Sequence, residues 1–500
     1  MEIRNKRLTD EEFFREREEV LATWPTGKDV NIDEAMSYHK RLPPRKNHVL
    51  KLRKAKEAGV ILLCSLSGTA PLENNIVLCQ HLQDQGHSDL LSSMVDSMTR
   101  NQLFAKAEQE LKESEGTGRE RLNGFPVVHY GVAGSRKLLE SVDVPVSLWG
   151  PSPDMRLVDE IGLAGGHTGV IHGGAMCVLF HYNKNLAVEK CIRNFQYIYR
   201  LIGCYEENGV PILHSAQGGL SCITPPSLML APQIIDHLLA AEQGVKNIQY
   251  CFWGAQGSLA QAVASMITLR KLGDEYLRRF GYDDVDTSVI AGYGGNVPAP
   301  MDHSQAYVLA SMPALVAVLS GSDACIVQTI DEAHNIPSKE NNAASLRCGR
   351  MTLNLFKDQK IDFANSEAVK IEAAMLERET RAILERVIDL GQGDVAVGAA
   401  RALRAGVLDQ PFAASQHAAR KVMGVRDAQG AVRYLSHGNL PFPDDIIEFH
   451  REKIAEREKA QGRQADYDTV VSDVVSISKG TLLLSPDWQE REQSRFDSQF

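Results

Sequence analysis

The sequence has no long apolar run, no paired cysteines and no excess of positive charge. No stretch approaches the roughly 18 uninterrupted apolar residues that a membrane-spanning helix needs. The nine cysteines are scattered, and none forms a C-x-x-C pair, which is typical of buried thiols in a reducing compartment such as the cytoplasm. With 54 basic and 64 acidic side chains the net charge is −10, so the composition predicts no general attraction to nucleic acid or anionic lipid. Residues 1–19 are dense in charge and do not resemble a signal peptide.

The residues that are present describe a soluble protein with a large core. Hydrophobic residues make up 43% and charged residues 24% of the chain. The pattern changes twice along the sequence. We therefore expect an amino-terminal helical extension over 1–55, a barrel carrying the site over 56–345, and a mostly helical carboxyl-terminal region over 346–500.

The middle region alternates short apolar runs with helical periods. Such alternation favours βαβ units, and nine candidates over this length predict a (β/α)₈ barrel with one excess or misassigned strand. The candidate strands are Val60–Ser65, Leu90–Met94, Pro126–Tyr130, Pro145–Leu148, Glu160–Leu163, Pro211–His214, Ile248–Trp253, Ser288–Tyr293 and Cys325–Gln328. A doubly wound open sheet is the alternative, but no G-x-G-x-x-G follows the first strand and no P-loop is present.

Histidines suggest where the chemistry lies. His129, His167, His172 and His214 fall at or just after predicted strand ends, and His181 follows nearby. The carboxyl ends of barrel strands carry the active site, and histidine is both a common acid–base group and a metal ligand. These histidines form no H-x-H or H-x-x-x-H pair backed by a carboxylate, so the pattern predicts polar lining residues and no metal site.

Arg100 closes a predicted strand between Thr99 and Asn101. An arginine at a strand end is able to hold a substrate carboxylate with two parallel hydrogen bonds. The sequence contains no G-x-S-x-G, Ser-x-x-Lys or H-E-x-x-H motif. The residues alone therefore predict a barrel with a polar site built from loops, without a named reaction.

Several blocks of the sequence resemble the large (epsilon) subunit family of glutamate mutase, also called methylaspartate mutase. The similarity runs over most of the chain and is strongest through residues 1–345. The blocks are Leu8–Phe14 (LTDEEFF), Thr23–Val30 (TWPTGKDV), Leu122–Pro126 (LNGFP), Glu160–Gly166 (EIGLAGG), Leu238–Ile248 (LLAAEQGVKNI) and Phe280–Val285 (FGYDDV).

This resemblance implies a (β/α)₈ barrel and a radical carbon-skeleton isomerase. In the family the large subunit binds glutamate and faces a small subunit that carries adenosylcobalamin through a D-x-H-x-x-G motif. This chain has no such motif, so any adenosylcobalamin must be supplied by a separate small subunit. The resemblance also implies a homodimer of this chain flanked by two small subunits.

The chain departs from the family at the residues that hold the substrate. The family binds the two substrate carboxylates with three arginines; Arg100 matches one of them, whereas Leu66 and Trp149 occupy the other two positions. The family's glutamate for the substrate amino group falls at Ile171, beside His172.

Further departures affect the remaining site positions. The two site tyrosines of the family align near Cys177 and near His181 or Tyr182. The lysine that contacts the adenosyl ribose is replaced by Gln328, and a nearby glutamate persists as Glu332.

The resemblance and the strand-end residues together give a set of expected site residues. We expect catalytic roles for His172, Glu332 and His181; substrate contacts from Arg100, Leu66, Trp149, Ile171, Cys177, His167, His129 and His214; and cofactor contacts from Gly68, Asn123, Phe180, Gly294, Gly295, Gln328 and Glu332.

The lost charges predict an altered substrate. Each lost charge-assisted contact to a carboxylate costs about 2–5 kcal/mol when the carboxylate is left buried and unpaired. We therefore expect an amino or carboxylic acid other than L-glutamate, with one carboxylate and an apolar remainder. Two alternatives stay open: a cobalamin-independent lyase that uses the strand-end histidines or a metal, and a non-catalytic partner subunit.

Overall fold

The computed structural model describes residues 3–179, 184–217, 222–253, 257–292, 298–332 and 337–481. Its centre is a sheet of eight parallel strands in the order β1-β8-β7-β6-β5-β4-β3-β2, and bridges from Cys64 to Leu90 and from Ser67 to Ser93 join β1 to β2. The sheet is thus closed into the expected (β/α)₈ barrel. The strands are β1 (Leu62–Ser65), β2 (Leu91–Met94), β3 (Val146–Trp149), β4 (Gly169–His172), β5 (Leu213–Ala216), β6 (Asn247–Phe252), β7 (Asp286–Ala291) and β8 (Ala324–Val327).

Helices precede the barrel, surround it and follow it. The first three are α1 (Asp10–Leu21), α2 (Ile32–Arg41) and α3 (His48–Glu57). Those connecting the strands are α4 (Leu72–Asp84), α5 (Ser97–Arg100), α6 (Phe104–Thr117), α7 (Val127–Glu140), α8 (Arg156–Ala164), α9 (Val188–Glu207), α10 (Ser227–Glu242), α11 (Leu259–Arg279) and α12 (His303–Ser320). After β8 come α13 (Lys339–Phe356), α14 (Glu367–Gly391), α15 (Val395–Ala405), α16 (Asp444–Gln461) and α17 (Tyr467–Ser476).

Two of the nine predicted strands were wrong, and one strand of the barrel was missed. The runs at 126–130 and 160–163 lie at the start of α7 and within α8, where a short buried stretch of a helix resembles a strand. The missed strand, β4, has the sequence GVIH and is flanked by glycines, so it offers too short an apolar run to stand out. In the described residues no helix is both long and apolar enough to cross a membrane.

The amino-terminal extension packs on the outside of the barrel. Arg17 of α1 forms an ion pair with the buried Glu160 of α8 at 2.9 Å. His39 of α2 donates from Nε2 to the carbonyl oxygen of Leu163 at 2.7 Å. These contacts tie the extension to α8, and the paired charge of Glu160 is tolerated in the core because its partners satisfy it.

The carboxyl-terminal region contains a hairpin that the sequence did not predict. Strands β9 (Val422–Arg426) and β10 (Val432–His437) pair antiparallel, and α13 extends the barrel to Phe356, beyond the expected boundary at 345. The side chain of Gln261 in α11 exchanges two hydrogen bonds with the backbone of Val432, at 2.8 and 3.1 Å. The hydroxyl of Ser478 reaches the carbonyl of Pro298 at 2.7 Å, so this region also contacts the loop after β7.

Candidate functional site

The barrel mouth, the end of the barrel formed by the carboxyl ends of the strands, is apolar at the positions where the resemblance implies two arginines and a glutamate. Leu66 directly follows β1, Trp149 ends β3 and Ile171 lies in β4, and all three are buried. Trp149 and Ile171 are register partners on neighbouring parallel strands, so their side chains lie side by side on one face of the sheet. These two side chains form an apolar wall at the carboxyl ends of β3 and β4.

A second tryptophan faces Trp149 across the mouth. Trp253 directly follows β6, which is not a neighbour of β3, and the two indole rings meet edge to face with centroids 5.7 Å apart. The contact thus crosses the interior of the barrel at the carboxyl ends of the strands. An added Cβ at Gly292 would lie 2.9 Å from the Trp253 ring, so the glycine leaves the room that this indole needs.

Arg100 lies beside this apolar wall. Its Cδ would be 2.9 Å from a Cβ built on Gly150, the residue after Trp149, so the side chain runs across the end of β3. Asp96 caps α5, which carries Arg100, by accepting hydrogen bonds from the backbone of Met98 and Thr99. Among the described residues within six positions after each barrel strand, Arg100 is the single Arg or Lys.

Two polar groups at the mouth were not predicted from the sequence. The amide Oε1 of Gln217, which directly follows β5, is buried without a hydrogen-bond partner among the described residues, and the buried indole Nε1 of Trp253 has the Cys251 thiol as a weak acceptor. A buried polar atom without a partner costs free energy unless a ligand or water satisfies it. Both residues directly follow barrel strands, where residues of a functional site are expected.

The strand-end histidines His172 and His214 do not face the mouth. The Nε2 of His172 lies 2.8 Å from Asp159 of α8, and the Nε2 of His214 lies 3.3 Å from Asp236 of α10. The His214 ring also packs on Tyr199 of α9, with centroids 4.8 Å apart. Both side chains therefore point into the layer between strands and helices. Neither imidazole reaches the mouth in this structure, and the expected catalytic role of His172 and substrate contact of His214 stay predictions.

Two other histidines lie elsewhere in the barrel. His129 is inside α7, where its Nε2 donates to the carbonyl of Phe104 at 2.8 Å. His167 precedes β4 and contacts the carbonyl of Val146, at the first residue of β3, so it lies at the amino end of the strands. The predicted location of these two histidines at strand carboxyl ends was wrong. The run around His129 that was predicted as a strand belongs to helix α7, and β4 begins after His167.

Cys177 also faces away from the mouth. Its thiol lies 3.8 Å from the thiol of Cys191 in α9, and burial raises its pKa well above the ordinary value. A substrate contact from this side chain is therefore not supported. Four expected residues, Phe180, His181, Gly294 and Gly295, lie outside the described residues.

Gly68 and Asn123 have structural roles at the mouth. A Cβ at Gly68 would lie 2.5 Å from the carbonyl oxygen of Met94, so glycine permits the close approach of the segments after β1 and at the end of β2. The amide oxygen of Asn123 accepts from the backbone of Ser97 at 2.9 Å and holds the start of α5. Their expected cofactor contacts stay predictions.

Gln328 and Glu332 follow β8 and are half-buried. The described part of the chain offers neither side chain a hydrogen-bond partner, and burial raises the pKa of the Glu332 carboxyl. A carboxyl and a carboxamide left in this state are able to bind hydroxyl groups of a ligand. A partly buried carboxyl with a raised pKa is also a common feature of functional sites.

The raised pKa of Glu332 predicts that Glu332→Gln stabilises the chain at neutral pH. A carboxyl whose folded pKa lies above its unfolded value loses stabilisation as pH rises from about 4.5 through the folded pKa. The glutamine amide carries no charge and has no such cost. The free energy of unfolding of the variant should therefore exceed that of wild type by about 1 kcal/mol or less at pH 8 and should be unchanged at pH 4. Thermal unfolding at both pH values measures this difference. An equal shift of the thermal midpoint at both pH values would show that the charge of Glu332 is not the cause of the change in stability.

Comparison with known proteins gives a consistent result over nearly the whole chain. The family model described as methylaspartate mutase E chain (MutE) matches residues 42–486. The chain is 42% identical to the glutamate mutase epsilon subunit of Desulfitobacterium hafniense strain Y51, covering 97% of this chain and 100% of that protein. It is 41% identical to that of Treponema denticola, covering 97% and 99%, and 39% identical to that of Escherichia coli O157:H7, covering 97% and 100%.

Proposed function

The chain belongs to the methylaspartate mutase E chain family, and on this basis we propose that it is the large subunit of an adenosylcobalamin-dependent mutase that acts on an acid other than L-glutamate. As a member of the glutamate mutase family it is an isomerase. Our proposal concerns the substrate, which differs from L-glutamate.

The apolar mouth carries this proposal. Leu66, Trp149 and Ile171 are 8%, 2% and 2% exposed, and they occupy the positions where the resemblance implies two cations and a carboxylate. Among the described residues within six positions after each barrel strand, Arg100 is the one cation, and it offers one strong carboxylate contact. A substrate with one carboxylate and an apolar or aromatic remainder suits this arrangement.

L-Glutamate would leave its second carboxylate and its ammonium group in contact with apolar side chains. Each such loss costs about 2–5 kcal/mol when the partner charge becomes buried and unpaired. Two lost arginines and one lost glutamate therefore predict a weakening of binding by several orders of magnitude, since about 1.4 kcal/mol corresponds to a factor of ten. The edge-to-face indoles of Trp149 and Trp253 would instead favour an apolar substrate side chain.

Gln328 and Glu332 fit the ribose of an adenosyl group. Both lie at the carboxyl end of β8 without a described hydrogen-bond partner, and a carboxyl and a carboxamide suit ribose hydroxyls. When bound, adenosylcobalamin would supply radical chemistry that abstracts a hydrogen atom from the substrate. A small subunit with D-x-H-x-x-G would have to carry it, because this chain lacks that motif.

The residues of this chain would then bind, orient and shield the substrate. Arg100 would fix one end by a two-point contact with the carboxylate, which sets the orientation of the carbon skeleton. Trp149, Trp253 and Leu66 would exclude water from the reacting carbon atoms, and exclusion of water protects a reactive species from side reactions.

Cobalamin binding by the assembled complex tests this function. The full chain is co-expressed with a small D-x-H-x-x-G protein encoded near it, adenosylcobalamin is added anaerobically, and the pair is passed over a sizing column. We expect the visible cobalamin spectrum to elute with both proteins. Free cobalamin at micromolar protein would overturn the mutase proposal and leave a non-catalytic or cobalamin-independent role.

A further inference from the structure

A cluster of metal-binding side chains is buried behind β5, away from the barrel mouth. His214 of β5 and the adjacent Asp236 and His237 of α10 each place one nitrogen or oxygen within 4.8 Å of the others. All three side chains are at most 1% exposed. The mutase proposal assigns no role to this cluster.

His237 has no hydrogen-bond partner for either ring nitrogen among the described residues. Its neighbours are the rings of His214 and Tyr250, with centroids 5.8 and 5.2 Å away. A neutral imidazole is the form that binds metal ions. A buried imidazole with both nitrogens unsatisfied is costly, and a bound cation would satisfy one of them.

The two oxygens of Asp236 are used differently. Oδ1 accepts hydrogen bonds from the backbone of Ala175 and from the Tyr199 hydroxyl, both at 2.5 Å. Within the part of the chain that the structure describes, the contact of Oδ2 is the long one of 3.3 Å with His214 Nε2. One oxygen thus holds the loop after β4, while the other is left for a ligand between the two histidines.

We propose that His214, Asp236 and His237 bind one divalent cation of the zinc class, with two imidazoles and one carboxylate as ligands. This donor set is one that Zn²⁺ accepts in proteins, at metal–ligand distances of about 2.0–2.2 Å. Ligand atoms of a tetrahedral site lie about 3.4 Å apart, so side-chain shifts of about 1 Å complete the geometry.

The local charges favour a cation at this place. Asp159 is a second buried carboxyl nearby, and its partner is His172 Nε2 at 2.8 Å. A divalent ion would balance the Asp236 carboxylate in a region that excludes water. The ion would brace the mouth indirectly, because Asp236 Oδ1 holds Ala175, and a Cβ at Gly174 would lie 2.4 Å from the same carboxylate.

Metal content of the purified full chain tests this site. The chain is expressed in zinc-supplemented medium with a tag that contains no histidine, passed over a sizing column and analysed by inductively coupled plasma mass spectrometry. We expect about one ion per chain, and below about a tenth of that for His237→Leu. Growth with Co²⁺ in place of zinc should give visible d–d absorption that His237→Leu lacks.

His48→Gln is the matched control, because His48 is also a fully buried imidazole with a lowered pKa but lies outside the cluster. It should retain about one ion per chain. A folded wild-type chain with less than about a tenth of an ion, or equal metal in wild type and His237→Leu, would overturn the site. The wild-type content decides the question even if His237→Leu does not fold, and the result does not depend on cobalamin or on any mutase activity.

Discussion

Replacing Arg100 with methionine is expected to weaken binding of the substrate acid by a factor of about 30 to about 4,000, without loss of the fold. This range corresponds to about 2–5 kcal/mol for truncating one partner of a desolvated, hydrogen-bonded charge pair. The large size of the effect follows from the surroundings: the side chain runs across Gly150 beside the buried Trp149, where water is scarce. Methionine keeps the packing and removes only the charge and its donors.

Isothermal titration with a panel of apolar monocarboxylic acids and amino acids, using the complex with the small subunit, measures this effect. Arg100→Lys should lose part of the affinity, because an ammonium group keeps the charge but not the two-point geometry. Arg121→Met is the control: Arg121 is a solvent-exposed arginine paired with Glu110 and should bind like wild type. Unchanged affinity in Arg100→Met would remove Arg100 from the binding site.

Acidification to pH 5 is expected to cost the folded chain several kcal/mol. Burial lowers the pKa of His39 to about 4, of His48 to about 3 and of His167 to about 4. A histidine whose pKa is lower in the folded chain than in the unfolded chain does not reduce the free energy of unfolding at pH values above its unfolded pKa of about 6.5. As the pH falls below about 6.5, the free energy of unfolding decreases. At pH 5 each of the three should cost about 2 kcal/mol, which together is comparable to the total stability of an ordinary domain.

The same three histidines lie together near the amino ends of the strands, where the extension packs. Each protonation would raise the cost of the next, since His167 lowers the pKa of His48 and His39 lowers that of His167. His39→Gln, whose amide is able to keep the hydrogen bond to Leu163, should flatten the pH dependence of the thermal midpoint between pH 7 and 5. His417→Gln, at an exposed position, should leave it unchanged. A midpoint that does not fall toward pH 5 in wild type would contradict this account.

The barrel was predictable because its strands are buried on both faces. Seven of nine apolar runs are strands, since continuous apolar sequence is what a parallel sheet covered by helices requires. Residues 126–130 and 160–163 show the limit of this rule, because a short buried stretch of a helix resembles a strand. The β9–β10 hairpin was missed because it lies in a region where charged helices dominate the pattern.

The site shows why position at a strand end does not give the direction of a side chain. Ile171 and His172 are neighbours in β4, yet Ile171 is beside Trp149 whereas His172 contacts Asp159 of α8. Successive residues of a strand point to opposite faces, so an error of one residue changes a mouth residue into one facing the helices. Trp149 and Ile171, matched through the family resemblance, lie at the mouth. Cys177, matched in the same way, faces Cys191 instead. His172 and His214, chosen by location alone, face the helices.

Turnover of L-glutamate by the reconstituted complex tests the central claim most directly. The full chain, its small subunit and adenosylcobalamin are assayed anaerobically beside the Desulfitobacterium hafniense glutamate mutase under identical conditions. Since two cationic contacts and one anionic contact are replaced by Leu66, Trp149 and Ile171, we expect less than about a thousandth of the relative's kcat/KM. A value within about tenfold of the relative's would contradict the altered substrate and show that L-glutamate is accepted without those contacts.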